Sequence, residues 1–291
     1  MKLVRRWICS SLLVLTASYA TARPQESNKN SGPIATSGID AARRQAVTLL
    51  LREAGGQQLG SGVLAAKAVG GLWVASNRHV VAGQSTVCVV MADRSVRAGL
   101  VVQQQQRQKL DLALIWLPSA QREAVLVAEV TERAIAAHAL PLIVATGFPT
   151  PLGSASIDGP TYSERPGLMV PLLKEPLQDG LDLTYTAAIE KGMSGGGVFL
   201  GSDLIGINSA HREPLWPGQW RDGKGEAVAE QLNQKLDLVS LGLSSKQINQ
   251  VIRTTPAPGG AELNRLIGIE CDQPVPAAQS ERPAPNQSSQ K

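Results

Sequence analysis

Lys191-Gly192-Met193-Ser194-Gly195-Gly196-Gly197, running on into Val198-Phe199-Leu200, sets one serine inside a glycine-rich turn that feeds an apolar strand. Glycine reaches backbone conformations closed to other residues, so such a turn can aim backbone N–H groups at one spot and hold a developing oxyanion there. A serine hydroxyl is a weak nucleophile until a base takes its proton, and the chain holds only three imidazoles, His79, His138 and His211. His79 stands in Trp73-Val74-Ala75-Ser76-Asn77-Arg78-His79-Val80-Val81, where an apolar strand ends in polar residues. Asp111 opens Asp111-Leu112-Ala113-Leu114-Ile115, an acid at the mouth of a strand. An imidazole base needs an acid on its second nitrogen to fix its tautomer, so Ser194, His79 and Asp111 together supply the three side-chain roles of nucleophilic hydrolysis.

Outward from this trio, short runs rich in Val, Leu, Ile and Thr alternate with Gly, Asn, Asp and Ser. They fall at 46–51, 62–66, 72–76, 87–91, 96–102 and 112–116, and again at 141–146, 168–173, 181–188, 197–200, 204–208 and 238–243. That spacing predicts an all-β chain of two β subdomains, with residues 119–139 as the crossover between them. Ser244-Ser245-Lys246-Gln247 has the pattern of a capping box, and Ile248, Val251 and Ile252 then share one helical face, which predicts a short closing helix.

The ends read differently. Residues 1–22 hold Lys2, Arg5 and Arg6, an apolar run and Ala20-Thr21-Ala22, the three parts of a cleaved export leader, and no acid. Residues 23–38 read as a flexible lead-in, and 254–291, with Pro256, Pro258, Pro274, Pro276, Pro283 and Pro285, as a disordered tail onto which only the run 263–269 is apolar enough to dock. The formal charge of +4 owes three of its charges to the leader, so no basic face for nucleic acid is implied. The apolar stretch of the leader is too short for a membrane span, and Pro141, Gly147, Pro149 and Pro151 break the uncharged stretch at 134–157. Cys88 and Cys271 are the cysteines left after the leader. They are the candidates for a bridge in an oxidising compartment, and beside that pairing Val87-Cys88-Val89-Val90 favours reading Cys88 as a small buried apolar side chain. No zinc spacing, HExxH or phosphate loop occurs, so no metal or other cofactor is expected.

Several segments resemble the trypsin/chymotrypsin-like serine peptidases, most closely the bacterial branch near the Deg/HtrA proteases. Gly60-Ser61-Gly62-Val63 is similar to their strand entry and Asn77-Arg78-His79-Val80-Val81 to their histidine segment. Asp111-Leu112-Ala113-Leu114 is similar to their acid segment, Gly192-Met193-Ser194-Gly195-Gly196 to their nucleophile turn, and Leu204-Ile205-Gly206-Ile207-Asn208-Ser209-Ala210 to the strand after it. The resemblance implies two six-stranded antiparallel β-barrels over residues 39–253, the first about 39–125 and the second about 140–253, with the active site between them. It also implies an oxyanion hole from the N–H groups of Gly192 and Ser194, and substrate binding by Ala188, Ile189, Ser209, Ala210 and His211. Met193 replaces the acid that in the animal digestive members binds a new N-terminus, so activation by that insertion is not expected. Nothing after the peptidase part resembles a PDZ domain, and a trimeric cage is not implied.

The expected function is an exported, periplasmic or secreted endopeptidase acting on protein or peptide substrates. Two other readings stand beside it: a peptide-binding module without turnover, and a serine esterase, since Gly192-Met193-Ser194-Gly195-Gly196 also satisfies GxSxG.

Overall fold

Six strands, β1 (Ala46–Glu53), β2 (Gly56–Ala68), β3 (Gly71–Ser76), β4 (Thr86–Val90), β5 (Val96–Val102) and β6 (Ala113–Pro118), close into an antiparallel barrel in the order β1-β2-β3-β6-β5-β4. The computed structural model describes residues 45–53, 56–102, 110–119, 129–130, 140–150, 161–210 and 219–271. Successive strand side chains point to opposite faces. In β6, Ala113, Ile115 and Leu117 therefore fill the barrel, while Leu114 and Trp116 join a second cluster outside it. β3 divides the same way, Leu72 and Val74 inward, Trp73 and Ala75 outward. Both faces of these strands are buried, which is why the runs read as continuously apolar.

The second group is β8 (Leu142–Gly147), β9 (Ser163–Leu168), β10 (Leu183–Tyr185), β11 (Gly197–Leu200), β12 (Asp203–Ala210) and β13 (Ser240–Ser244), paired in the order β10-β13-β12-β11-β8-β9. An antiparallel bridge between Met169 and Tyr185 links the two ends of this curled sheet. β7 (Glu129–Val130) adds a short parallel pair on β12. Ile143, Ala145, Tyr185, Ile189, Met193, Val198 and Ile205 form the interior of this barrel. The outward residues of both barrels, among them Trp73, Trp116, Phe199, Ile207 and Leu243, meet in one shared core. Helix α1 (Glu230–Leu236) lies between β12 and β13, whereas α2 (Ser245–Thr254) and α3 (Gly260–Leu263) follow β13, and α2 buries Ile248 and Val251 in the shared core.

The all-β, two-barrel architecture agrees with the sequence reading, and four details differ from it. The strand expected at 168–173 lies earlier, at Ser163–Leu168, where Glu164, Arg165 and Pro166 mask it; at one end of the sheet's strand order an imide nitrogen is tolerated. Helix α2 forms as the sequence indicates, but its capping box does not. The Ser244 hydroxyl donates to Asp182 Oδ2 (2.6 Å), and Gln247 Nε2 donates to the Gly180 carbonyl. Cys88 is not a lone apolar side chain; it forms a disulfide with Cys271. Beyond Thr254, where a tail was expected, the chain carries α3 and places Leu263 and Leu266 against the shared core before reaching Cys271. The expectations for residues 1–44, for most of the crossover and for 272–291 fall outside the described residues.

Candidate active site

His79 and Asp111 are brought together by the first barrel. His79 lies in the turn after β3, Asp111 two residues before β6, and β3 and β6 are hydrogen-bonded neighbours. The ring Nδ1–H of His79 donates to Asp111 Oδ2 at 2.7 Å, and the backbone N–H of His79 donates to Asp111 Oδ1 at 3.0 Å. The carboxylate side chain is 10% exposed and the imidazole 51%. One carboxylate thus fixes both the place of the histidine and the tautomer that leaves Nε2 as a proton acceptor.

Asn77, which the sequence reading left as part of a motif, ties this pair to the second barrel. Wholly buried, it donates from Nδ2 to the Asp111 carbonyl (3.0 Å) and to Ser209 Oγ (2.5 Å). Ser209 is re-aimed by a bulge in β12. Asn208 pairs with Gly242 and Ala210 with Leu241, so Ser209 falls between register positions.

Ser194 reaches the same network from the other side: its hydroxyl donates to the Ser209 carbonyl at 3.4 Å. No hydrogen bond joins Ser194 to His79. The two are linked through Ser209, Asn77 and Asp111, and the distance between a base and its nucleophile commonly shortens only when substrate binds.

Around Ser194 the arrangement is set by backbone. Gly192 and Gly195 have φ of +94° and +84°, the left-handed region. A Cβ on Gly192 would lie 2.5 Å from the Phe148 carbonyl oxygen, and one on Gly195 2.3 Å from that of Ser61. The N–H groups of Met193, Gly195 and Gly196 donate to the carbonyls of Glu190, Asn208 and Met193, whereas those of Gly192 and Ser194 find no acceptor among the described residues. In a planar trans peptide the N–H points opposite to the carbonyl, so fixing one fixes the other. The Lys191 carbonyl accepts from the Thr150 N–H (2.8 Å), which turns the Gly192 N–H away from it. The Met193 carbonyl accepts from the Gly196 N–H (3.0 Å) and Asn208 Nδ2 (3.1 Å), which does the same for the Ser194 N–H. Asn208 is itself held by the Tyr185 hydroxyl, which donates to its Oδ1 at 2.7 Å; burial pushes the Tyr185 phenol far above its ordinary range, so it stays a donor.

The residues expected to bind substrate fare unevenly. Ala188 is exposed, Ser209 is buried and Ala210 is half-buried at the end of β12, while Ile189 packs its side chain into the second barrel beside Met193. His211 lies outside the described residues, as does His138. Missed by sequence reasoning were Asn77, Asn208, Ser61, Thr150 and Tyr185; for all but Thr150, which sits between two prolines, a place in or at the end of an apolar strand or beside glycines hinted at buried hydrogen bonds. Among the described residues no group of three His, Cys, Asp or Glu side chains is placed to hold a metal, and no helix is long and apolar enough to cross a membrane.

The trypsin-like peptidase domain family matches residues 60–207, a span that includes His79, Asp111 and Ser194. No curated protein sequence matches the chain. Among solved structures, the fold is similar to a serine endoprotease from Yersinia pestis, at 20% identity and a TM-score of 0.50 over 74% of this chain and 65% of that one. It is also similar to AlgW, an HtrA-type protease solved with a tripeptide, at 18% identity and a TM-score of 0.54 over 75% and 62% of the two chains. At these identities the likeness is one of fold, and the chain spans just under two thirds of the length of each.

Proposed function

Because the chain belongs to the trypsin-like peptidase family, we propose that it is an exported serine endopeptidase acting through an acyl-enzyme on Ser194. The observation that carries this reading is the double hydrogen bond from His79 to Asp111, beside a turn whose Gly192 and Ser194 N–H groups have no acceptor among the described residues. The Ser194 hydroxyl swings from the Ser209 carbonyl toward His79. As its oxygen attacks the peptide carbonyl carbon, His79 Nε2 takes its proton, and Asp111 stabilises the imidazolium. The carbonyl π electrons move onto oxygen, where the N–H groups of Gly192 and Ser194 receive them. Collapse breaks the C–N bond; His79 gives its proton to the leaving amine, and Ser194 remains as an ester. Water, deprotonated by His79, attacks that ester, and the proton returns to Ser194 as the acid product leaves. Substrate is held as an extended strand along residues 209–211, with Ala188 at the side-chain pocket.

Protein or peptide substrates follow from the family, and the Cys88–Cys271 disulfide supports an oxidising, exported location. The esterase reading on an α/β-hydrolase fold is withdrawn, since the described residues fold into two antiparallel β units with no helix-flanked parallel sheet among them. One observation favours the reading as a peptide-binding module: the Ser194 hydroxyl rests on Ser209 and not on His79. Cleavage-site profiling of the mature protein on a peptide library, beside Ser194→Ala, separates the two. Endopeptidase action gives cut products that vanish in the variant, whereas saturable peptide binding with no Ser194-dependent products sinks the peptidase reading.

A further inference from the structure

Ser61 stands on β2 in the first barrel, yet its contacts run to the second. It is wholly buried. Its N–H donates to the Ser194 carbonyl (3.2 Å), and its carbonyl accepts from the Ser76 hydroxyl (2.8 Å). Its own hydroxyl donates to the Gly192 carbonyl at 2.6 Å and accepts from the Phe148 N–H at 2.8 Å.

Three successive peptide planes explain what these bonds do. The plane of Lys191 and Gly192 carries one N–H that has no acceptor among the described residues and is anchored by Thr150. The plane of Met193 and Ser194 carries the other and is anchored by Gly196 and Asn208. Between them lies the plane of Gly192 and Met193. Its N–H is bound to the Glu190 carbonyl, and its carbonyl is bound to the Ser61 hydroxyl. Gly192 has no Cβ to restrict rotation on either side, so the angle between the two donor planes depends on this middle plane.

We propose that Ser61 is a positioning residue for catalysis: its hydroxyl, reaching across from the first barrel, locks the Gly192–Met193 peptide and so keeps the N–H groups of Gly192 and Ser194 converged on one point. The inference rests on the reading of Ser194 as nucleophile. It assigns a task to the serine of the strand-entry motif Gly60-Ser61-Gly62-Val63. The Ser61 hydroxyl touches no reacting atom and acts on the donors through the Gly192 carbonyl. Replacing Ser61 with alanine leaves the Gly192 carbonyl and the Phe148 N–H without this partner in a half-buried place, and the loop relaxes to satisfy them elsewhere.

The test compares the full mature chain with Ser61→Ala, Ser61→Thr and Ser194→Ala. The readouts are the acylation rate with p-nitrophenyl acetate, kcat and KM on fluorescein-labelled casein, and the thermal melt. Removing one donor outright from an oxyanion site costs roughly 10²- to 10³-fold in kcat, so disturbing the convergence of two should cost about 10- to 100-fold in acylation and kcat. KM should change by less than about threefold, since ground-state binding is untouched. Ser61→Thr, which keeps the hydroxyl, should recover most of the rate. If Ser61→Ala acylates as fast as the unaltered chain while Ser194→Ala does not acylate, the positioning role is overturned and the nucleophile reading stands. If Ser194→Ala acylates normally, the nucleophile reading fails instead. Should Ser61→Ala lose its cooperative melt, Ser61→Cys, close in size but a weak donor, decides: slow acylation with a normal melt supports the role, and an unchanged rate removes it.

Discussion

The first barrel contributes the His79–Asp111 pair to the candidate site and the second contributes Ser194 on a backbone-built turn, and the two are secured by different means. His79 and Asp111 hold each other through two hydrogen bonds, on neighbouring strands of a closed six-stranded ladder. The Ser194 turn has no such self-sufficiency. It is a glycine-rich turn leading into a curled sheet whose ends meet around the Met169–Tyr185 bridge, and it is propped from outside by Ser61, itself held by Ser76, of the first barrel and by Thr150, Asn208 and Tyr185 of its own. A side chain needs one good partner to be placed. A backbone conformation that few residues adopt needs its carbonyls tied on every side.

This contrast can be broken at graded depths, ranked by effect on turnover. Ser194→Ala removes the proposed nucleophile and should lower kcat roughly 10⁵- to 10⁶-fold, read by steady-state cleavage of labelled casein; fluorophosphonate labelling that survives would move the nucleophile elsewhere. Asp111→Asn keeps the shape but offers a donor where His79 needs an acceptor, and should cost about 10⁴-fold in kcat with KM little changed. Asn77→Ala cuts the strut between the halves. A loss of about 10-fold in kcat is expected, with a fall in stability of about 1–3 kcal/mol in urea unfolding, because the Ser209 hydroxyl and Asp111 carbonyl lose a buried donor. An unchanged kcat there would mean each barrel holds its half alone.

Tyr185→Phe sharpens the comparison from the second barrel's side. It strands the buried Asn208 Oδ1, so stability should drop by about 1–3 kcal/mol with only a few-fold loss of kcat. Smallest for turnover is Cys88→Ser with Cys271→Ser. The bridge closes a separation of 183 residues and its loss should cost about 2–4 kcal/mol in denaturant unfolding, with kcat within about twofold. A large fall in kcat would show that the C-terminal segment reaches the site after all.

The sequence disclosed what depends on periodicity and on turn chemistry. Apolar runs marked most strands because both of their faces are buried, and the glycines around Ser194 marked a turn that only glycine fits. The pairing of His79 with Asp111 was legible because each sits at the end of a strand. What escaped was anything that depends on a distant partner. Ser244 and Gln247 have the spacing of a local cap, yet Asp182 and Gly180, more than sixty residues away, compete for them and win. β9 hid behind a proline and two charges. The roles of Asn77, Ser61 and Asn208 arise from contacts across 132 residues to Ser209, 131 to Gly192 and 62 to the Thr146 carbonyl, which no local pattern encodes.

The bridge from Cys88 to Cys271 also sets the chain's connectivity. It makes a covalent ring that contains Asp111, Ser194 and the whole second barrel, while His79 lies on the segment before it. A single backbone cut anywhere within that ring, including one the protein inflicts on itself, yields no separable fragments. The nicked molecule keeps its mass on a non-reducing gel and comes apart only once a reductant opens the ring.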